Sequence, residues 1–289
     1  MSIHNLSQLF RPRSVAVIGA GERTDGLGAI VLHNLIDSGF PGVVYPVNPN
    51  HRAVQGIETH PDVASLPESP DLAVVCTPAA TVAGLVHECG EAGVPGVLVL
   101  SAGFREAGPD GVALEREVAA AAARFPGLRI LGPNCLGAIV PGAGLNASFA
   151  GAMPAEGQIA FVSQSGALCT SVLDWANERG IGFSHFLSVG NMLDVDFGDL
   201  IDYLGRDPQT RAIILYVESI TDPRKFMSAA RAFTTRSSVR CIWKPSGTAW
   251  IFCAIGPRIC IPSVASFADR FASENSPPRV NSSVGIRRF

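Results

Sequence analysis

The sequence predicts a two-domain α/β protein built on parallel sheets, and three observations carry the prediction. Short apolar runs rich in β-branched residues recur through the first 130 or so residues. Helical patterns separate them, and the same alternation restarts after a stretch rich in Gly, Ala and Pro. Runs of four or five residues that are apolar on both faces belong inside a sheet covered by helices on either side. At 289 residues and 47% hydrophobic, the chain has the length for two such units and the apolar surface to fill them.

In order, the strands are Val15–Ile18, Val43–Val47, Leu72–Val75, Val97–Leu100 and Arg129–Leu131. The helix patterns between them are clearest in GVALEREVAAAAARF. Residues 1–140 therefore read as a first, doubly wound domain. Residues 141–156 show little periodicity and read as a linker. A second domain over 157–232 opens with strand Ile159–Val162, the turn SQSG and a helix from Ala167 to about Arg179. Strand Phe183–Val189, helix Phe197–Leu204 and strand Ala212–Tyr216 follow. From Phe233 neither period is clean, and three of the seven cysteines and two of the three tryptophans crowd in. Residues 233–289 thus read as an atypical tail, frameshifted or disordered, which leaves the second domain incomplete. Two lysines against twenty arginines point to a GC-rich gene, whose off-frame translation yields Arg, Ser, Pro, Ala and Cys.

Composition narrows the function. A net charge of −3 argues against a broad nucleic-acid footprint, although a local phosphate site needs backbone N–H groups more than net charge. The start, MSIHNLSQLFRPRS, lacks the apolar core of a secretory signal, and no run of about 18 uncharged apolar residues occurs. The cysteines stand apart, at 76, 89, 135, 169, 241, 253 and 260, as free thiols of a reducing compartment do. Together these features predict a cytoplasmic protein that touches neither membrane nor nucleic acid.

SVAVIGAGERTDGLGAI is a strand, a glycine-rich turn and the start of a helix. A dinucleotide fingerprint asks for glycines at the first, third and sixth positions of the turn. Gly19 and Gly21 fit, but Thr24 holds the sixth position, and glycines return only at Gly26 and Gly28. NAD also asks for an acid at the end of the second strand to hold the ribose, where VVYPVNPN offers Asn48 and Pro49. Both departures disfavour NAD. What remains is another anion at a helix N-terminus, or a turn in which the glycines only permit the bend.

The motifs VIGAGERTDGLG, YPVNPN, VVCTPAATV, VLSAGFREAG and GPNCLG, followed by GQIAFVSQSGAL, SVGNMLDVDFGDLIDYL and YVESI, span roughly residues 5–232. In this order they resemble the NDP-forming acyl-CoA synthetases, relatives of the succinyl-CoA synthetase α subunit. The resemblance implies a Rossmann-like CoA-binding domain followed by a flavodoxin-like one. It implies CoA phosphates near Gly19, Gly21, Gly26 and Gly28, adenosine along Asn48 and Pro49, and the nucleotide's flank against Thr77 and Pro78. Relatives often carry a lysine after Asn-Pro; here Asn50 stands in its place, with His51 and Arg52 next. Gly103 and Asn134 are implied near the pantetheine arm and the thioester, Asn134 as a carbonyl-handling catalytic residue. Cys135 invites a nucleophile reading, but CoA supplies its own thiol, so a buried bystander is the better account.

FVSQSGALCTSVLDWA leads a strand into a helix through Ser163, Gln164, Ser165 and Gly166. A plain serine N-cap explains it locally. The resemblance makes Ser163, Ser165 and Gly166 a phosphate site and Glu218 the acid that orients a phosphohistidine. Asp194, Asp196 and Asp199 tempt a metal reading, but their spacing is not that of an EF-hand, and helix capping suits them better. The six histidines are His4, His33, His51, His60, His87 and His185; none follows Glu218, where the family's histidine loop belongs, and His185 reads as a packed strand residue.

The family relay converts acyl-CoA, phosphate and ADP to carboxylate, CoA and ATP through acyl phosphate and phosphohistidine, with an ATP-grasp β-type partner holding the nucleotide. Two roles stay open at this point. One is the α-like portion of such a ligase; the other is a non-catalytic CoA-binding regulatory module, like those fused to protein acetyltransferases.

Overall fold

The computed structural model describes residues 3–236, 240–246 and 249–255. Helix α1 (Leu6–Phe10) leads into β1 (Ser14–Ile18), α2 (Leu27–Asp37), β2 (Val43–Val47) and a short hairpin of β3 (Ala53–Val54) and β4 (Ile57–Glu58). Next come β5 (Leu72–Val75), α3 (Ala79–Glu91), β6 (Gly96–Val99), α4 (Pro109–Ala122) and β7 (Arg129–Leu131). Five of these strands form a parallel sheet in the order β2-β1-β5-β6-β7. The chain leaves β1 for β2 on one side and returns to β5 on the other. The gap between β1 and β5 is therefore a switch point, and ligands of open α/β sheets bind in the crevice beyond its carboxyl ends.

The second sheet is built from β8 (Gly137–Val140), β9 (Leu145–Ser148), β10 (Glu156–Ser163), β11 (Phe183–Ser188) and β12 (Ala212–Val217), with β13 (Arg240–Ser246) and β14 (Ala249–Ile255). Its helices are α5 (Gly166–Glu178), α6 (Phe197–Leu204) and α7 (Pro223–Arg236). The order is β13-β14-β12-β10-β11-β8-β9, with β10 parallel to both its neighbours and antiparallel strands added outside them. β10 repeats the plan of β1: the next strand lies on one side and the one after it on the other. A second switch point results.

Side-chain alternation along the strands builds the layers. Val15, Val17, Leu72 and Val74 of the first sheet face the same core as Ala160, Val162, Leu187, Ile213 and Leu215 of the second. Residues of α1, α2, α6 and α7 fill the space between. Ala16, Ile18, Ala73 and Val75 point the other way, under α3 and α4. Phe161, Phe183 and Phe186 pack beneath α5 on the far face of the second sheet.

The strands predicted from sequence are present, most within a residue of their expected ends. Two regions differ. The 141–156 stretch, expected as a plain connection, holds β9, while β8 ends the segment assigned to the first domain yet pairs with β11. β9 shows no apolar alternation because its buried polar groups are satisfied internally: Ser148 Oγ donates to Asn146 Oδ1 at 2.6 Å, and Asn34 Nδ2 of α2 donates to the Ser148 and Ala150 carbonyls at 2.9 Å each. The atypical stretch from Phe233 begins with the last turn of α7 and continues as the hairpin of β13 and β14, with β14 antiparallel to β12. The rest of that expected tail, 256–289, lies outside the described residues.

Candidate functional site

At the first switch point, Gly19 takes φ +90°, a left-handed conformation suited to glycine, and its N–H donates to the Val47 carbonyl at 2.9 Å. A Cβ on Gly19 would lie 2.8 Å from Thr77 Cγ2, so strands β1, β2 and β5 all bear on this residue. Gly28 sits where α2 crosses the turn, and a Cβ there would run into the Gly19 carbonyl. Gly26 precedes α2 as its cap with no side-chain bond, so no side chain occupies the positive end of the helix. Gly21 has open space around it.

Asn48 ties this turn to the second strand. Its Nδ2 donates to the Ala20 carbonyl at 2.6 Å while its Oδ1 accepts from the Asn50 amide at 2.9 Å. The residue that stands in the ribose acid's place is thus spent on shaping the glycine turn. Pro49, Asn50 and Arg52 are exposed beyond it. Thr77 shares a hydrogen bond with Thr81 at 2.7 Å, and Pro78 precedes α3.

Further along the same edge, Gly103 has φ +104° and Asn134 has φ +57°. The Asn134 amide donates to the Ser101 carbonyl at 2.9 Å, fixing the segment 132–136 to the end of β6. That segment begins with a cis Gly132–Pro133 bond and then crosses to the second sheet. The Asn191 amide, just past β11, donates to the Pro133 carbonyl at 2.8 Å, and a Cβ on Gly190 would meet the Pro133 and Asn134 carbonyls. Gly166, at the start of α5, lies near Leu136, with 3.9 Å between its ideal Cβ position and the Leu136 nitrogen. The carboxyl ends of both sheets therefore converge on the strip around Asn134.

At the second switch point Ser163 is buried; its Oγ donates to the Ser165 carbonyl at 3.0 Å and accepts from the Ser165 amide at 3.1 Å. Ser165 caps α5 by accepting from the Leu168 amide at 3.3 Å, as the local reading of the turn expects. Sequence reasoning missed Gln164. Its Oε1 accepts from the amides of Glu218 and Ser219 at 2.6 and 2.8 Å, so it pins the exposed Glu218 across the crevice from the serine turn. The partner bond spans 54 residues, which no local pattern reports.

The other candidates have structural roles. Cys135 is buried, its Sγ donates to the Val99 carbonyl at 3.3 Å, and burial pushes its thiol far above the ordinary value, so it has no thiolate to offer. Asp196 and Asp199 form a capping box on α6. Arg129 pairs with Asp194 at 2.8 Å and Asp199 at 3.1 Å, and Lys225 pairs with Asp199 at 2.6 Å. These charges line a cleft of about 560 Å³ at the opposite end of β7 from Asn134. His185 is fully buried on β11, edge-on to Phe10 and Tyr203. No helix among the described residues is long and apolar enough to cross a membrane.

Residues 13–141 match the family model for a CoA binding domain, and residues 156–246 match that for a succinyl-CoA ligase like flavodoxin domain. The chain is 43% identical over 234 residues to acetate–CoA ligase [ADP-forming] I of Archaeoglobus fulgidus, covering 81% of this chain and 34% of the relative. It is 42% identical to the α subunit of acetate–CoA ligase [ADP-forming] II of Pyrococcus furiosus, covering 81% of this chain and 50% of that subunit. Among solved structures, a Pyrococcus horikoshii protein aligns with a TM-score of 0.76 at 41% identity, covering 79% of this chain and 52% of its own. The dinucleotide-forming acetyl-coenzyme A synthetase 1 of Ca. Korarchaeum cryptofilum, in complex with phosphate and ADP, aligns with a TM-score of 0.76 at 38% identity over 79% of this chain and 49% of that one. The chain spans between a third and about half the length of these curated relatives.

Proposed function

This chain belongs to the NDP-forming acyl-CoA synthetases, as a CoA-binding domain joined to a succinyl-CoA ligase-like flavodoxin domain of their α type, and from that premise we propose that it binds acyl-CoA at its first switch point and phosphate at its second. One observation carries the proposal: the strip around Asn134 is bonded to the carboxyl ends of both sheets, so a thioester reaching it from the first would stand beside an anion held at the second.

In this reading the CoA pyrophosphate lies against the uncapped start of α2, among Gly19, Gly21, Gly26 and Gly28. Asn48 and Pro49 flank the adenosine, and Thr77 and Pro78 its other side. The pantetheine arm passes Gly103 and brings its thioester to Asn134. Ser165 and Gly166 hold phosphate at the positive end of α5, while Ser163, expected beside them, is buried with its hydroxyl spent on Ser165 and braces the turn from beneath. A phosphate oxygen attacks the thioester carbonyl, the carbon–sulfur bond breaks, and CoA leaves as thiolate while acyl phosphate remains. Fixed donors aimed at the developing charge are the contribution such a site makes. The histidine of the relay, oriented by Glu218, then takes the phosphoryl group from the acyl phosphate, whose P–O bond breaks to release carboxylate, and an ATP-grasp β-type partner passes it to ADP. No histidine follows His185 in this sequence.

Calorimetric titration of the full chain with CoA, acetyl-CoA and NAD tests the reading: CoA and acetyl-CoA bind, and NAD binding tighter than CoA would overturn it. The lack of any histidine after His185 also favours a second reading, a CoA-binding regulatory module. Incubation with acetyl-CoA and labelled phosphate separates the two. Phosphate-dependent loss of the thioester supports the ligase portion, whereas binding without turnover supports the regulatory module.

A further inference from the structure

Behind Asn134 a polar cluster crosses from one domain to the other. Asn191 Nδ2 donates to Glu106 Oε2 at 2.7 Å and to Glu115 Oε2 at 2.8 Å, and Asn191 Oδ1 accepts from Asn134 Nδ2 at 3.4 Å. The direction of each bond is forced. An ionised carboxylate only accepts, so the Asn191 amide must turn its NH2 group to the two glutamates. Its oxygen then faces Asn134, which must answer with its own NH2. Asn191 is 7% exposed and Glu115 8% exposed, so water offers little alternative to these partners. Arg105 closes the cluster by pairing with Glu115 at 3.3 Å and donating to the Asn191 carbonyl.

Glu106 has a second task. Its Oε1 accepts from the amides of Gly103 and Phe104 at 2.7 and 3.0 Å. One carboxylate therefore holds both the Gly103 turn and, through Asn191, the amide of Asn134. Partial burial works to raise the Glu106 carboxyl, but the Asn191 amide and these backbone donors outweigh it and hold the group below its ordinary value, ionised near neutral pH.

We propose that Asn191 and Glu106 are positioning residues for thioester recognition, fixing which way the Asn134 amide faces and keeping the Gly103 turn in register with it. The inference rests on the acyl-CoA reading of this site. The orientation matters because a flipped Asn134 amide would present its oxygen where it now presents N–H, and a buried polar mismatch of that kind is costly. Asn191 lies 57 residues from Asn134 and 85 from Glu106, so it serves the site from another domain.

The test compares acetyl-CoA with free CoA, which lacks the carbonyl that Asn134 would meet. Binding of both to the full chain is measured by calorimetry for the wild type, Asn191→Leu and Glu106→Gln. Asn191→Leu is near-isosteric and is expected to weaken acetyl-CoA about tenfold more than CoA. Glu106→Gln keeps an acceptor for Gly103 and leaves Glu115 in place, so a smaller loss of the same kind, a few-fold, is expected. It also guards against failure of the buried variant to fold. A general structural role would weaken both ligands equally, and that result, or no change in either, would overturn the proposal. A wild type that binds neither ligand would instead overturn the acyl-CoA reading on which it rests.

Discussion

After β1 the chain spends residues 19–26 before α2 begins; after β10 it spends only Gln164 and Ser165 before α5. Both turns sit at the same topological position, where successive strands part to either side. Their chemistry is opposite. The first is shaped by Gly19 and Gly28, which have no room for a Cβ, and leaves the helix end without a side-chain cap. The second closes on itself, with Ser165 capping its helix and Ser163 bonded to Ser165. The difference bears on the two ligands proposed for these crevices. A long backbone-lined turn suits an extended anion such as a pyrophosphate, while a short hydroxyl-lined one suits a single compact anion.

The largest expected effect breaks the comparison at its glycines. Gly28→Ala drives a methyl group into the Gly19 carbonyl, backbone against backbone, and should cost about 3 kcal/mol with loss of CoA binding. Gly166→Ala meets nothing nearer than 3.9 Å and should change stability by no more than about 1 kcal/mol. Denaturant midpoints of the two variants check this, and equal losses would erase the distinction between the turns.

Acid sharpens the contrast between the sheets next. Burial lowers the His185 imidazole from its ordinary 6.5 to about 4, against the opposing pull of Asp207. The unfolded chain takes up that proton below pH 6.5 and the folded chain does not until about pH 4. Stability is therefore expected to fall as the pH drops through that window, by up to about 3 kcal/mol. His185→Phe should flatten this part of the profile, and an unchanged slope would assign the acid sensitivity elsewhere.

Smaller effects follow from the two polar anchors. Asn48→Ala removes the bond that holds the Ala20 carbonyl and should weaken CoA about tenfold, an equilibrium change of about 1.4 kcal/mol, in calorimetry. Ser165→Ala removes the α5 cap and should cost about 1 kcal/mol of stability while leaving CoA affinity unchanged. A reversed pattern, with Ser165 mattering for CoA and Asn48 not, would place the cofactor at the wrong switch point.

What the sequence revealed divides along the range of the interactions. Both turns were legible, because a strand, a Gly or Ser turn and a helix start are local patterns. The place of Asn48 at the end of the second strand was legible too, though its bond to the glycine turn was not. β9 was not legible, because its buried Asn146 and Ser148 rely on hydrogen bonds instead of apolar alternation. Gln164, Asn191 and Glu106 were invisible for a related reason: each acts on a group more than 50 residues away. A polar residue in a turn gives no sign of a distant partner. VRCIWKPSG reads as a retained strand and forms β13, but β14 and its pairing with β13 escaped, since the composition there obscures any period.

The apolar layer between the two sheets has a consequence for how the molecule comes apart. Because the inward faces of both sheets close on that one layer, neither half has a complete interior of its own. A chain severed between β9 and β10 would leave each fragment with a bare greasy face, insoluble by itself and rescued by the other. The intact chain should melt in one transition, with no plateau between the halves. A molecule bound at the crevice of the first sheet would then raise the melting temperature of the second by the same amount, through shared cohesion alone and with no signal passed between the sites.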